Sequence, residues 1–449
     1  MRLVRVQIPE FRALKDVDIS FEPEFNPQVF PLGSLNGGGK STLLQLIFVL
    51  LHCSAHEERH QFIANMLERV SIADGETSKL LARFELLGAG EKIDLEFILC
   101  NDDYLRQLNI DPEFDKKVMS FSLFKDQELM ASLEKTKAEF ENEFLSNGYS
   151  SLLGDSDLST DEQRDREEYI YSGLEHALKE REVFGVLTKH FAKCLADKNQ
   201  FYITAFQSTD GYKGLICTIS GSNKIVKGTE ILNSISKRIF LSAPPTQIYL
   251  FLDKWDKARL FEKTDENSLP NNYQSILDNT KNKLPNFLTH DIFSTDVLIS
   301  LIEQARNQDF KTLIDSGING TSYQKMIAEF DMLTQNKRVY PKLDDNAVIT
   351  GIIFKNNEGI EIYPEDLSHG ELKRLSIYAW LKTFTKGENV VLMDEIENGF
   401  HPDWQYQIVR DLVEWGENNQ YILATHSYEL CNALTPAHVK ELDPKLVKN

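Results

Sequence analysis

The run SLNGGGKST, residues 34–42, constrains this chain more than any other stretch. It is preceded by QVFPLG, which has the apolar character of a strand, and followed by LLQLIFVLLH, which reads as a buried helix. A strand, a glycine-rich loop and an apolar helix in that order belong to an α/β arrangement that aims a helix N-terminus at the loop. Gly39, Lys40 and Ser41 match the end of the phosphate-loop template G-x-x-x-x-G-K-[ST], while Ser34 stands where its first glycine belongs. Asn36, Gly37, Gly38 and Gly39 let backbone N–H groups converge on an anion, with Thr42 closing the run. Lys40 suits bridging two phosphates, and the Ser41 hydroxyl suits ligating magnesium. The bland alternative is a glycine-rich turn with a chance Lys-Ser pair, and the flanking strand and helix argue against it. Pro31 is an oddity, because proline is unwelcome in a central strand.

Three further runs fit the same chemistry. In NVVLMDEIENGFHP, residues 389–402, four apolar residues deliver Asp394 and Glu395 to a strand end, where an α/β sheet places its ligand. Asp394 suits a magnesium contact, direct or through water, and Glu395 suits polarising an attacking water. QYILATHS ends a second apolar strand on Thr425 and His426, and a histidine there can reach a γ-phosphate and hold that water. In EDLSHGELKRLS, residues 365–376, the Ser368 hydroxyl and the Gly370 N–H stand at the start of a helix expected from near Glu371. Such a helix start is an anion site built of dipole and donors. The Ser-His pair in it invites a hydrolase reading, but no third partner or oxyanion hole is evident. HEERH, residues 56–60, fits the zinc-protease pattern H-E-x-x-H, yet no third ligand follows at a recognisable spacing.

Composition narrows the class. The net charge of -20 opposes a default nucleic-acid surface and favours a protein partner or a nucleotide carrying its own magnesium. No apolar run of about 18 residues appears and the start lacks a signal core, so a cytoplasmic protein with no membrane span is expected. The five cysteines are scattered with no Cys-x-x-Cys pair, as reduced thiols would be.

Along the chain, alternation over the first 23 residues suggests two short strands joined by a turn, and residues 79–100 a hairpin around Gly88 and Gly90. Residues 126–144 and 161–195 have helical spacing and dense charge. Strand-like runs return at QFYITAFQ, GLICTISG and KRIFLSAPPTQIYLFL. Several short helices follow from about 253 to 340, broken by Pro270, Pro285, Gly317 and Gly320, before the strands AVITGIIFK and IEIYP.

The four motifs, in this order, resemble those of the ATP-binding-cassette (ABC) ATPases: SLNGGGKST their Walker A, LSHGELKR their signature, VVLMDE their Walker B and ATHS their switch histidine. The resemblance implies an α/β head with a mixed central sheet and flanking helices, in two halves, 1–100 and 345–449. Residues 101–344 would be a largely helical insertion that faces partners or further copies, with strands near 201–252 returning to the head. It implies ATP and Mg2+ as cofactors. It also implies a nucleotide sandwiched in a homodimer or higher homo-oligomer, where Ser368, Gly370 and Glu371 of one copy close over the γ-phosphate held by another. Lys40 and Ser368 lie 328 positions apart, too far for a transporter cassette. EFRALKDVDISF is similar to the hairpin of the RecF, SMC and OLD-like branch, and DEIENGFHPDWQ to that branch's D-E-P-E-x-x-L-H-P-x-x-Q, with Ile396 and Phe400 as departures.

An SMC-type arm does not fit the broken helices, and the 22 residues after Ser427 leave no room for an OLD-type TOPRIM nuclease. The stand-alone ATPase subunits of antiphage systems such as PARIS and Septu remain, which implies a nuclease effector in trans, of TOPRIM or HNH type. The acidic helices around 126–180 are the expected docking surface, with a solubilising face as the alternative. A DNA-repair ATPase binding DNA directly is the rival reading. Of the family's remaining positions, the glutamine linking magnesium to the insertion falls on Gln247, with Gln207 as alternative, and the adenine contact on Arg12.

Overall fold

A computed structural model describes residues 1–34, 37–88, 90–101, 103–104, 199–208, 211–221, 228–252, 257, 280–289, 295–334, 337–346 and 348–442. Two compact units emerge, one of residues 1–65, 84–93 and 230–449, the other of residues 66–83 and 94–229.

The chain opens with β1 (Arg2–Phe11) and β2 (Leu14–Ser20), an antiparallel hairpin pairing Phe11 with Leu14. Arg12 turns the chain at φ 53°. β3 (Val29–Gly33) leads into α1 (Lys40–Phe48), and α2 (His60–Leu67) follows a short turn. β4 (Ser78–Gly88) and β5 (Glu91–Cys100) form the expected hairpin, with Gly90 at φ 82°. β6 (Gln200–Ser208) and β7 (Gly211–Ser220) pair antiparallel, and β7 pairs with β5 through Asp94–Cys100. Within this second unit the buried Lys213 ammonium donates to the Val70 carbonyl at 2.7 Å, fixing the segment ahead of β4 to the strand pair.

Next come α3 (Gly228–Ser236), β8 (Ile239–Ala243) and β9 (Phe287–Thr289). α4 (Thr295–Ser316) and α5 (Ser322–Leu333) form a helical pair broken at Gly317 and Gly320 as expected, although α4 runs for 22 residues. β10 (Arg338–Leu343), β11 (Ile349–Lys355) and β12 (Glu361–Ile362) make a small antiparallel sheet. The chain then runs through α6 (His369–Phe384), β13 (Val390–Asp394), α7 (Pro402–Trp415), β14 (Gln420–Ala424), α8 (Tyr428–Asn432) and β15 (Lys440–Glu441).

The sheet that organises the first unit has the order β15-β3-β14-β13-β8-β9, and every pairing in it is parallel. Its strands β13, β14 and β8 (VVLMD, QYILA, IFLSA) are short and buried throughout, as strands covered on both faces must be. The chain is thus a mixed α/β protein with an all-parallel sheet beside antiparallel strand pairs among the described residues. α1 packs on β8, β13 and β14. A large apolar cluster joins α4, α5, α6 and α7 to the sheet strands, with Phe330 against Tyr378 and Phe240 against Trp380 edge to face.

The oddity of Pro31 has a local explanation. It faces Leu423 of β14, while β15 begins only opposite Leu32, so on that flank no paired strand needs its missing N–H. The run KRIFLSAPPTQIYLFL does not stay a strand: it leaves the sheet at Ala243 and Pro245–Leu250 form a 3₁₀ helix. Pro244 and Pro245 supply no N–H to a ladder, so extension ends there. HEERH does not make one helical turn either. His56 is extended (φ −136°, ψ 123°), Glu57–Arg59 form a 3₁₀ turn and α2 begins at His60. The acidic segment 126–180 lies outside the described residues. Among those described, no helix is long and apolar enough to cross a membrane.

Candidate functional site

The phosphate-loop run lies where β3 hands over to α1. Gly37 and Gly39 have φ 78° and 88°, in the left-handed region that favours glycine. A Cβ on Gly39 would come within 2.6 Å of Leu14 Cδ2, so the β1–β2 hairpin closes directly on the loop. That hairpin carries Arg12, whose guanidinium lies 5.2 Å from the Phe11 ring centroid. Asn36 lies outside the described residues. Lys40 is buried, and its ammonium donates to both the carbonyl and the hydroxyl of Ser34, each at 3.1 Å. The residue that departs from the glycine template therefore serves as the lysine's polar rest. Burial pushes the Lys40 ammonium below its ordinary pKa, and the carboxylates of Asp394, Glu397 and Glu395 oppose that shift.

Asp394 ends β13 opposite Ala424, 2% exposed. Its Oδ1 accepts from the Ser41 hydroxyl at 3.0 Å, whereas its Oδ2 is enclosed with no donor among the described residues. Desolvation pushes its carboxyl up to about 7, helped by the charges of Glu395 and Glu397 and opposed by the Ser41 hydrogen bond and Lys40. An enclosed carboxylate oxygen beside a hydroxyl suits a hard divalent cation. No three His, Cys, Asp or Glu side chains converge as a metal cage among the described residues. A cation here would rely on Ser41, Asp394 and oxygens of its ligand. Gln247 accepts from Gln45, a buried residue of α1 one turn after Ser41. The side chain of Gln207 lies outside the described ones.

Glu395 takes the left-handed conformation (φ 50°), uncommon for a residue with a Cβ and a frequent mark of functional strain. Its N–H donates to the Ala424 carbonyl at 2.9 Å, and its Oε2 accepts from the Asn398 amide at 2.7 Å. The Lys373 ammonium of α6 donates to the carbonyls of Glu395 and Asn398, at 3.1 and 3.0 Å. His426 is exposed just past β14, beside the buried Thr425. Sequence reasoning attached no role to Lys373, Asn398 or Glu397. A polar side chain carries no local signal of the group that the fold will bring to it.

α6 begins two residues earlier than expected. Ser368 is its N-cap, exposed, with a capping box: the Glu371 carboxylate accepts from the Ser368 N–H and hydroxyl at 3.0 and 2.8 Å, and the Glu371 N–H donates to the hydroxyl at 3.3 Å. The Ser-x-x-Glu spacing is the capping-box pattern, which moves the helix start to His369. Glu371 is buried and also pairs with Lys337. Gly370 is buried where a Cβ would lie 2.9 Å from the Gly399 carbonyl and 3.0 Å from Trp404, so the first turn of α6 packs on the turn that follows β13.

Comparison with known proteins decides the family. Residues 1–431 match the family described as AAA ATPase domain. The chain belongs to that family. The expected ABC-type ATPase of the RecF, SMC and OLD-like branch agrees with it. Two curated relatives of this AAA ATPase-domain chain are "Retron Ec83 probable ATPase" of Escherichia coli and "Retron Vc95 probable ATPase" of Vibrio cholerae serotype O1 biovar El Tor. The first is 30% identical over 99 residues, which is 20% of this chain and 18% of that protein; the second is 32% identical over 105 residues, 20% of each. The matches thus span about a fifth of those relatives' length. Among solved structures, the SMC head domain from Thermotoga maritima is similar at TM-score 0.38 and 10% identity, covering 96% of this chain and 92% of its own. The Smc head domain with an extended coiled coil bound to the C-terminal domain of ScpA, from Pyrococcus furiosus, gives TM-score 0.34 and 12% identity, covering 96% and 91%.

Proposed function

We propose that this chain binds ATP with magnesium at the phosphate loop and hydrolyses it. The observation that carries the reading is the Ser41–Asp394 hydrogen bond at the loop, with the second Asp394 oxygen enclosed and without a donor among the described residues. Ser41 and Asp394 would hold the cation, with Gln247 as a further contact. When bound, magnesium neutralises charge on the β- and γ-phosphates.

The chain's own residues do the rest. The N–H groups of Gly37–Gly39 and the start of α1 bind phosphate oxygens, with Asn36 and Thr42 flanking them. Lys40 exchanges its Ser34 contacts for phosphate, and its partly desolvated ammonium makes that exchange favourable. Glu395, held by Asn398 and its own unusual backbone, accepts the proton of the attacking water. His426 orients that water, and Arg12 flanks the adenine.

We further propose that two copies sandwich each nucleotide, with Ser368 and the first turn of α6 reaching the partner's γ-phosphate. Glu371 serves from inside, by holding the Ser368 hydroxyl. In this reading the head comprises 1–100 and 345–449 with β8, β9, α4 and α5 returning to it from within 101–344, and the remainder of that segment faces partners. The chain acts in the cytoplasm as the sensor or regulatory subunit of a defence system, and a separately encoded TOPRIM- or HNH-type nuclease is the effector. The retron ATPases among the relatives support this placement. A Glu395→Gln variant should bind ATP without turnover and form dimers with MgATP in light scattering. A strict monomer at saturating MgATP would end the sandwich.

One observation favours the rival reading, direct DNA contact. A groove of about 670 Å³ between α4, α5 and α6 is lined by Lys311, Lys325, Lys382 and Lys386. None of the four is ion-paired among the described residues. If DNA binds there, log affinity should fall with log salt at a slope near roughly −3 to −4, as expected for about four phosphates.

A further inference from the structure

Glu397 has no part in the proposed hydrolysis, yet it is the most enclosed carboxylate on the turn after β13, at 6% exposure. Burying a carboxylate is costly unless it is well paired. Its Oε1 accepts the backbone N–H of His426 at 2.6 Å, while its Oε2 is enclosed with no donor among the described residues.

The position of that bond matters. β13 and β14 stay paired only as far as Asp394 opposite Ala424. Both segments then leave the sheet, one carrying Glu395 and the other His426. Among the described residues, two hydrogen bonds tie them beyond that point: the Glu395 N–H to the Ala424 carbonyl, and the His426 N–H to Glu397. The first fixes only the base of Glu395; the second alone reaches His426.

We infer that Glu397 is a positioning residue, whose carboxylate locks the peptide carrying His426 to the turn carrying Glu395, so that two groups from different strands keep one separation around the attacking water. This rests on the ATPase reading of the site. Displacements on the order of an ångström at such groups cost about a hundredfold in rate.

The test is steady-state ATP hydrolysis by the full chain, comparing Glu397→Ala, Glu397→Gln and Glu397→Asp. Glutamine keeps an acceptor at the same reach and should retain kcat within about threefold. Alanine removes the acceptor and should lower kcat by about a hundredfold with KM for ATP nearly unchanged. Combining Glu397→Ala with His426→Ala should cost little more than His426→Ala alone, because the two act as one unit. Should the alanine variant fail to fold, aspartate replaces it: it keeps the charge but draws the acceptor back, and should be slower than glutamine. Glutamine as slow as alanine or aspartate, an unchanged kcat in alanine, or multiplying effects in the double variant would each overturn the inference. If Glu395→Gln abolishes hydrolysis while any of these occurs, only the role of Glu397 falls. If Glu395→Gln hydrolyses normally, the reading of the whole site falls with it.

Discussion

Two buried carboxylate clusters in the first unit sit at the same sort of place, the mouth of a structural element, and are finished differently. At the start of α6, Glu371 accepts from the Ser368 N–H and hydroxyl and pairs with Lys337, so both oxygens are engaged. At the end of β13, Asp394 and Glu397 each have one oxygen bonded and one enclosed without a donor among the described residues. Burial, helped by the charges of Glu395 and Glu397, raises the Asp394 carboxyl to about 7. A satisfied carboxylate stabilises the protein that contains it, whereas a half-satisfied one stores free energy that a ligand can release. The contrast separates a carboxylate that closes a helix cap from the two that flank the proposed cation site, among residues that look alike in composition.

The largest effect that tests this contrast is on turnover. Glu395→Gln should lower phosphate release by about a thousandfold, the range of general-base catalysis, while a fluorescent ATP analogue binds as before. Equal loss of binding would mean that Glu395 belongs to the ligand cradle and not to the chemistry.

Next is Lys40→Ala, expected to weaken ATP by roughly a hundredfold in calorimetry, since it removes a charge-assisted phosphate contact. A loss no greater than fivefold would remove Lys40 from the phosphate site.

The raised Asp394 carboxyl gives a pH signature in the nucleotide-free protein. Between the model-peptide value of 3.8 and about 7 the folded chain keeps a proton that the unfolded chain has lost. Stability should therefore fall as pH rises through that window and level off above it. Asp394→Asn removes this contribution and should gain on the order of 2 kcal/mol over the wild type between pH 4.5 and 7.5 in urea titrations. Parallel pH profiles would show that water already relieves the enclosed oxygen.

The smallest effect is at the satisfied cluster. Ser368→Ala should cost about 1 kcal/mol of stability, as for loss of an N-cap, measured by urea unfolding without nucleotide. If that variant also loses MgATP-dependent dimers in the Glu395→Gln background, the cap carries the proposed second role.

Much of this arrangement is written locally. The alternation of residues 2–20, the apolar runs at 29–33, 390–394 and 420–424, and the glycines 37–39 suffice to place a hairpin, three buried strands and an anion loop. Local chemistry also misleads: TQIYLF looks like a strand until two prolines remove its donors, and the Ser-Glu spacing of a capping box moves a helix start by two residues. What lay beyond reach were contacts between segments far apart in sequence. Lys373 reaching the Glu395 carbonyl, Glu397 reaching the His426 N–H and Gln247 reaching Gln45 depend on how strands and helices are ordered in the sheet.

The sequence by itself therefore determined which residues can hold phosphate and move a proton, because those capacities belong to side chains and to glycine's backbone freedom. Only the tertiary structure decided which carboxylates are satisfied and which are left half-paired. That depends on the donors that packing brings to each oxygen and on how much water it removes.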